Sequence, residues 1–195
     1  MGGGGRQDRI SGRALGLLFL VLLAAGSPLP AAVAETSPAN GIRRYAQLVR
    51  LYPHSALYHN ALGYYQFRAG HLKEAEGSYL RALDIDRSYA VAHNNIGIVY
   101  LHQRKPEQAE DQFRQALAIS PSYVKAQYNL AVALFRQRRY IDAVKAYLAA
   151  RKQDWTYVHD RDDPEKMRAA FDEAKKDPET RRELERIRQE YTAPK

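Results

Sequence analysis

The chain has no cysteine. That excludes disulfides, thiolate metal sites, cysteine nucleophiles and covalent c-type haem attachment. A Gly-rich phosphate loop, HExxH, GxSxG and a paired-carboxylate setting are missing as well, which removes the commonest sequence grounds for a catalytic reading. The apolar run Ala14–Ala25 (ALGLLFLVLLAA) has 12 residues, too few to cross a bilayer as a helix. With no cysteine there is no lipobox, the N-terminal region has no paired arginines, and MGGGGR lacks the Ser or Thr that N-myristoylation favours.

What the N-terminus does have is a short positive segment, MGGGGRQDRISGR, ahead of that apolar run. Gly26, Pro28 and Pro30 then interrupt the helix, and Ala32-Val33-Ala34 supplies the small-x-small pattern of a signal-peptidase site. Residues 1–34 are therefore expected to be a cleavable signal peptide, with export to the periplasm or beyond and a mature start at Glu35. The alternative is an uncleaved N-terminal membrane anchor, the one setting in which membrane contact is expected. Arg6, Arg9 and Arg13 against Asp8 give this segment +2 of the chain's formal +8, leaving +6 on the mature protein. A basic balance favours acidic partners or anionic surfaces without selecting one. Nucleic acid is not expected, because export argues against it.

The stretch Ala90–Tyr123 organises the rest. It holds two amphipathic helical patterns, the first with Ile96, Gly97 and Tyr100, the second with Ala109, Phe113 and Ala116, closed by Pro121. Shifting the frame by 34 residues finds Leu62, Gly63, Ala75, Tyr79 and Ala82 on one side, and Leu130, Ala131, Leu134, Ala143, Tyr147 and Ala150 on the other. This pattern resembles the tetratricopeptide repeat (TPR), a 34-residue helix–turn–helix unit with a small residue where its helices cross. The resemblance implies an all-α solenoid with full repeats at 56–89, 90–123 and 124–157. Ala69-Gly70 marks a turn, and Pro106 fits the first turn of a helix. Gln66 departs from the pattern where an aromatic is usual, and Arg87 and Trp155 replace the closing proline.

Flanking segments complete the array. Residues 35–41 read as a polar linker. From Ile42, the positions Ile42, Tyr45, Leu48, Val49 and Tyr52 share a helical face that Pro53 ends, so 42–55 is expected to be a half repeat capping the N-terminal edge. Beyond Tyr157 the frame fails. Asp163-Pro164 and Asp177-Pro178 each read as N-cap plus first helical residue. They lead to the faces Met167, Ala170, Phe171, Ala174 and Leu184, Ile187, Tyr191, so 158–195 is expected to be a polar-backed C-terminal cap and tail.

Three constellations invite chemistry. His59 and His93 share one repeat position, but equivalent side chains on packed helices stand about 8–10 Å apart, too far for a compact two-His site. A structural role is expected for both. Asp84-Ile85-Asp86-Arg87-Ser88 imitates the start of a calcium loop, yet Tyr89 falls where glycine is needed and Asn95 where the closing Glu is needed. The group Asp160, Asp162, Asp163 reads as a solvated turn. No catalytic residue, metal ligand or cofactor is expected; an enzyme is the remote alternative.

In TPR proteins the first helices of successive repeats line a concave surface that receives a peptide or a partner's helix. By position the resemblance puts Asn60, Tyr64 and Phe67 there, then Asn94, Asn95, Ile98 and Leu101, then Lys125, Tyr128, Asn129, Val132 and Arg136. Asn95 and Asn129 would hold an extended backbone, since an amide both donates and accepts; serving the fold is the competing role for them. Of the five positions that clamp a C-terminal carboxylate in one TPR subclass, only Asn95 and Lys125 match, with Asn60, Tyr64 and Asn129 at the other three. The expectation is a non-catalytic adaptor or assembly factor of the cell envelope, binding another protein through a mixed polar and aromatic groove. A self-associating structural subunit is the alternative.

Overall fold

The computed structural model describes residues 37–159, 172 and 174–192. The signal-peptide segment, the Asp160–Asp163 turn and the Met167 and Phe171 positions lie outside the described residues. Within them the chain is helical and contains no strand: α1 Pro38–Leu51, α2 Ala56–Arg68, α3 Leu72–Ile85, α4 Ala90–His102, α5 Pro106–Ile119, α6 Val124–Arg136, α7 Tyr140–Gln153, α8 Trp155–His159 and α9 Pro178–Thr192. Each helix from α1 to α7 packs on the next, and α8 and α9 both lie against α7. The architecture is the all-α solenoid of helix–turn–helix units that the repeat frame implies.

The crossing inside each repeat explains its small residues. A Cβ built on Gly63 would stand 2.7 Å from Tyr79 Cε1, and one on Gly97 would stand 2.5 Å from Phe113 Cε1. Carbon atoms pack at about 3.5–4.0 Å, so only glycine lets those helices meet. Phe113, Ala109 and Ala116 are fully buried, as are Ala75 and Ala82, and Tyr79 is nearly so. One core cluster joins Ala75, Tyr79, Ile96 and Val99, and a second joins Phe113 to Leu130, Leu134 and Ala146 in the following repeat. The core is thus continuous across repeats, as it must be when no single unit can bury its apolar face alone.

The turns repeat as well. Gly70 (φ 82°), Arg104 (φ 60°) and Arg138 (φ 61°) occupy the same place in three successive units, each in left-handed backbone after a first helix. Glycine adopts that conformation freely; arginine does so against its Cβ. Gln66, which stands where an aromatic was expected, accepts a 2.6 Å hydrogen bond from the buried Ser78 hydroxyl. The pair replaces aromatic packing with a satisfied polar contact.

At the N-terminal end the helix starts earlier than its apolar pattern predicts. Ser37 caps α1 by accepting from Asn40 N, and Pro38 takes the first turn. The stretch read as a linker over 35–41 therefore contributes Pro38–Gly41 to α1, with Gly41 buried against the Tyr65 ring. Tyr45 stacks on Tyr65 at 5.4 Å and meets Tyr58 at 6.4 Å, which attaches α1 to α2. At the other end Asp177 Oδ2 accepts from Thr180 N at 2.7 Å, opening α9, whose Leu184 and Ile187 are buried.

Candidate binding groove

The first helices α2, α4 and α6 touch one another directly, whereas α3 and α5 are each joined mainly to first helices. The inner layer is therefore α2–α4–α6, and its open side is the concave surface. The twelve residues expected there separate into two groups.

Asn60, Asn94 and Leu101 are buried, at 8 %, 3 % and 7 % exposure. Leu101 sits in the core with Ala109, Phe113 and Leu130. The asparagines bond to one another: Asn95 Nδ2 donates to Asn60 Oδ1 at 3.0 Å, Asn129 Nδ2 donates to Asn94 Oδ1 at 2.9 Å, and Asn94 Nδ2 lies 3.4 Å from Asn95 Oδ1. The four amides form a ladder across the three first helices. Asn95 and Asn129, expected to hold a partner's backbone, thus direct an amide group at the neighbouring repeat. Arg136 adds a rung, with Nη1 donating to the Leu101 carbonyl oxygen at 2.6 Å.

The second group is accessible. Tyr64, Lys125 and Arg136 are exposed, while Phe67, Ile98, Tyr128 and Val132 are half-buried. Phe67 meets His102 edge-on at 4.9 Å, and Tyr128 meets Tyr157 edge-on at 6.2 Å. Ile98 and Val132 rest partly on the core below them. Two neighbours were not foreseen. Arg68 lies over the Tyr64 ring at 5.9 Å, and His102 is exposed beside Phe67. Arg68, His102 and Arg136 end the three first helices at one repeat position; a count of basic residues by repeat position finds them.

The remaining sequence candidates have local explanations. The ring nitrogens of His59 and His93 face the carbonyls of Pro53 and Arg87, six residues earlier in each case, at 3.0 and 3.3 Å, and His93 also pairs with Gln112. Asp86 accepts from the amide and the hydroxyl of Ser88, a local turn. Among the described residues no group of three or more His, Asp or Glu side chains is placed to hold a metal ion, and no helix is long and apolar enough to cross a membrane.

One buried charge lies outside the groove, between the second and third repeats. Glu110 is 8 % exposed and accepts from Arg114 Nε, Arg139 Nη1 and Gln137 Nε2 at 2.8–3.0 Å. Burial alone would raise its pKa; the hydrogen bonds from Gln137 and Arg114 and the Arg139 and Arg114 charges outweigh that and lower it. Gln103 donates to Glu76 one repeat earlier, at the same pair of positions.

The tetratricopeptide repeat profile matches residues 30–90 and 94–158, more than half of the sequence. The chain belongs to the TPR family. No curated protein matches it in sequence. Among solved structures, one of the MamA protein superposes with a TM-score of 0.56 at 21 % identity, over 73 % of this chain and 72 % of that one. The first TPR of Spaghetti (RPAP3), solved bound to the HSP90 peptide SRMEEVD, superposes with a TM-score of 0.52 at 26 % identity, over 52 % of this chain and 81 % of that one. The second TPR of Spaghetti, bound to the same peptide, gives 0.50 at 24 % identity, over 51 % and 93 %. The TPR fold commonly mediates protein–protein interaction and is generally non-catalytic. In this TPR protein the asparagines bond from repeat to repeat, and Tyr64, Lys125 and Arg136 are exposed on the same layer of first helices.

Proposed function

We propose that this TPR protein is an exported, non-catalytic adaptor or assembly factor of the cell envelope that takes a segment of another protein in its concave groove. The observation that carries the reading is one accessible surface across α2, α4 and α6 combining Tyr64, Lys125 and Arg136 with the half-buried Ile98 and Val132. Aromatic and aliphatic anchors beside cationic groups suit an extended or helical segment. The Spaghetti TPRs, solved with a peptide bound, are consistent with such an occupant. Export rests on the signal-peptide pattern, which calls for a mature chain starting at Glu35.

The test is site-specific photocrosslinking in the producing cell. A crosslinking residue at Tyr64 or Val132 is expected to capture the same protein, and one at Arg81, exposed on the second helix α3, is expected not to. Capture from Arg81 alone, or unrelated captures from the two groove positions, refutes the reading. Intact mass of the exported protein tests its start.

A second reading has its own observation. Leu51 and Tyr52 are 71 % and 55 % exposed at the end of α1, the N-terminal helix of the solenoid, where a second copy would bury apolar surface. Sedimentation over a range of concentrations tests it, and a monomer throughout sinks it.

A further inference from the structure

Carboxylates are distributed unevenly over this molecule. Of its 22 Asp and Glu residues, none lies in α1, α2, α4 or α6, and none occurs between Glu35 and Glu74. Those four helices carry Arg43, Arg44, Arg50, Arg68, Lys125 and Arg136 instead. The second helices α3, α5 and α7 carry both signs.

Fold requirements point the other way. A helix N-terminus favours an acidic side chain, because the macrodipole leaves about half a positive charge there. Each second helix follows this rule, with Glu74, Glu107 and Asp142 in the first turns. None of the first helices does, and α6 has Lys125 in its first turn, where a cation meets the dipole unfavourably. The same pressure acts on all of these helices; the groove-facing first helices disregard it, as α1 does at the N-terminal cap. The arginines at the other ends, Arg68 and Arg136, suit the dipole and serve the fold as well. The carboxylates bonded closest to this layer are already engaged: Glu76 with Gln103 and Tyr100, Glu110 with Arg114, Arg139 and Gln137.

We infer that the segment received by the groove is acidic, an internal stretch of a partner protein rich in Asp and Glu and carrying apolar side chains for Tyr64 and Val132. A concave surface lined by one sign of charge focuses its field on a ligand of the opposite sign. With the asparagines spent on the ladder, the charge flanks the middle repeat, with Arg68 in the first repeat and Lys125 and Arg136 in the third, so the complementarity is to a segment carrying several carboxylates. The inference rests on the groove reading above and adds its chemistry.

The experiment is selection of random peptides displayed on phage against the purified exported protein. Enriched sequences are expected to exceed the unselected library in Asp and Glu. Synthetic versions are expected to bind about two- to thirtyfold more weakly to an Arg68→Glu, Lys125→Glu double variant, the range that two exposed ion pairs span. Wild-type affinity is expected to fall as salt is raised, a readout needing no variant. Neutral or basic peptides that lose binding on Tyr64→Ala or Val132→Asp would overturn the acidic inference and leave the groove intact. No enrichment, or peptides indifferent to both substitutions, would overturn inference and groove together.

Discussion

Gly97→Ala and Gly77→Ala make the same chemical change in two helices and should act in opposite directions. In a helix interior alanine is favoured over glycine by about 1 kcal/mol. At Gly77, exposed in α3, an added Cβ meets nothing within 4 Å, so that gain should appear nearly whole. At Gly97 the Cβ would lie 2.5 Å from Phe113 Cε1 and 2.8 Å from Cδ1 and Cζ. Relieving this to ordinary contact moves the ring by about 1 Å. Phe113 is fully buried, in one core cluster with Leu101, Ala109, Leu130 and Leu134, and has nowhere to go. Overpacking of such a core costs about 1–3 kcal/mol; near the upper figure, less the helical gain, Gly97→Ala should lose about 2 kcal/mol. The variants should then differ by about 3 kcal/mol, or roughly 6–12 °C in Tm for a protein of this size. Urea and thermal unfolding followed by far-UV circular dichroism measure it. Shrinking the ring should relieve the clash, so Gly97→Ala should cost about 1 kcal/mol less in a Phe113→Leu background than in the wild type. If Gly97→Ala matches the wild type, or if both variants shift the same way, the packing argument for the repeat's small residue fails.

The turns, the ladder and the buried carboxylate give further expectations. Arg104→Gly and Arg138→Gly remove left-handed strain and should each stabilise by about 0.5–1 kcal/mol, read by urea unfolding; no gain would show that the side chains repay the strain. Asn129→Ala takes the donor from the buried Asn94 carbonyl oxygen and should cost about 1–2 kcal/mol before any partner is added, which makes it a poor test of binding; an unchanged midpoint would return Asn129 to the candidate contacts. Glu110→Gln should lose about 1–2 kcal/mol at neutral pH, discounted because Arg114 and Arg139 are half-exposed. Since the Glu110 pKa is lowered on folding, its contribution is full above the ordinary 4.5 and fades as pH falls through the folded value. The gap between wild type and Glu110→Gln should therefore close in acid; a gap independent of pH would refute the charge-based account.

Most of the fold was legible in the residues. Gly63, Gly97, Tyr79 and Phe113 stand at crossings that their sizes dictate, and Gly70 marks the left-handed turn that Arg104 and Arg138 share. The start of α1 was legible too, in Ser37-Pro38, but the apolar period begins only at Ile42 and hid the cap. Groove membership was partly legible. A 34-residue frame aligns Asn60 with Asn94 and Asn95 with Asn129, but the ladder bonds join residues 35 apart. That offset comes from the stagger of one first helix against the next, which no periodicity records.

The sequence by itself determined the repeat, its length and its small residues, because helical period and side-chain volume are local properties. Tertiary structure alone decided that Asn60, Asn94 and Leu101 face inward while Tyr64 and Lys125 stay open. Exposure depends on how neighbouring repeats stack, and a polar side chain becomes structural or available according to whether the next helix brings it a partner.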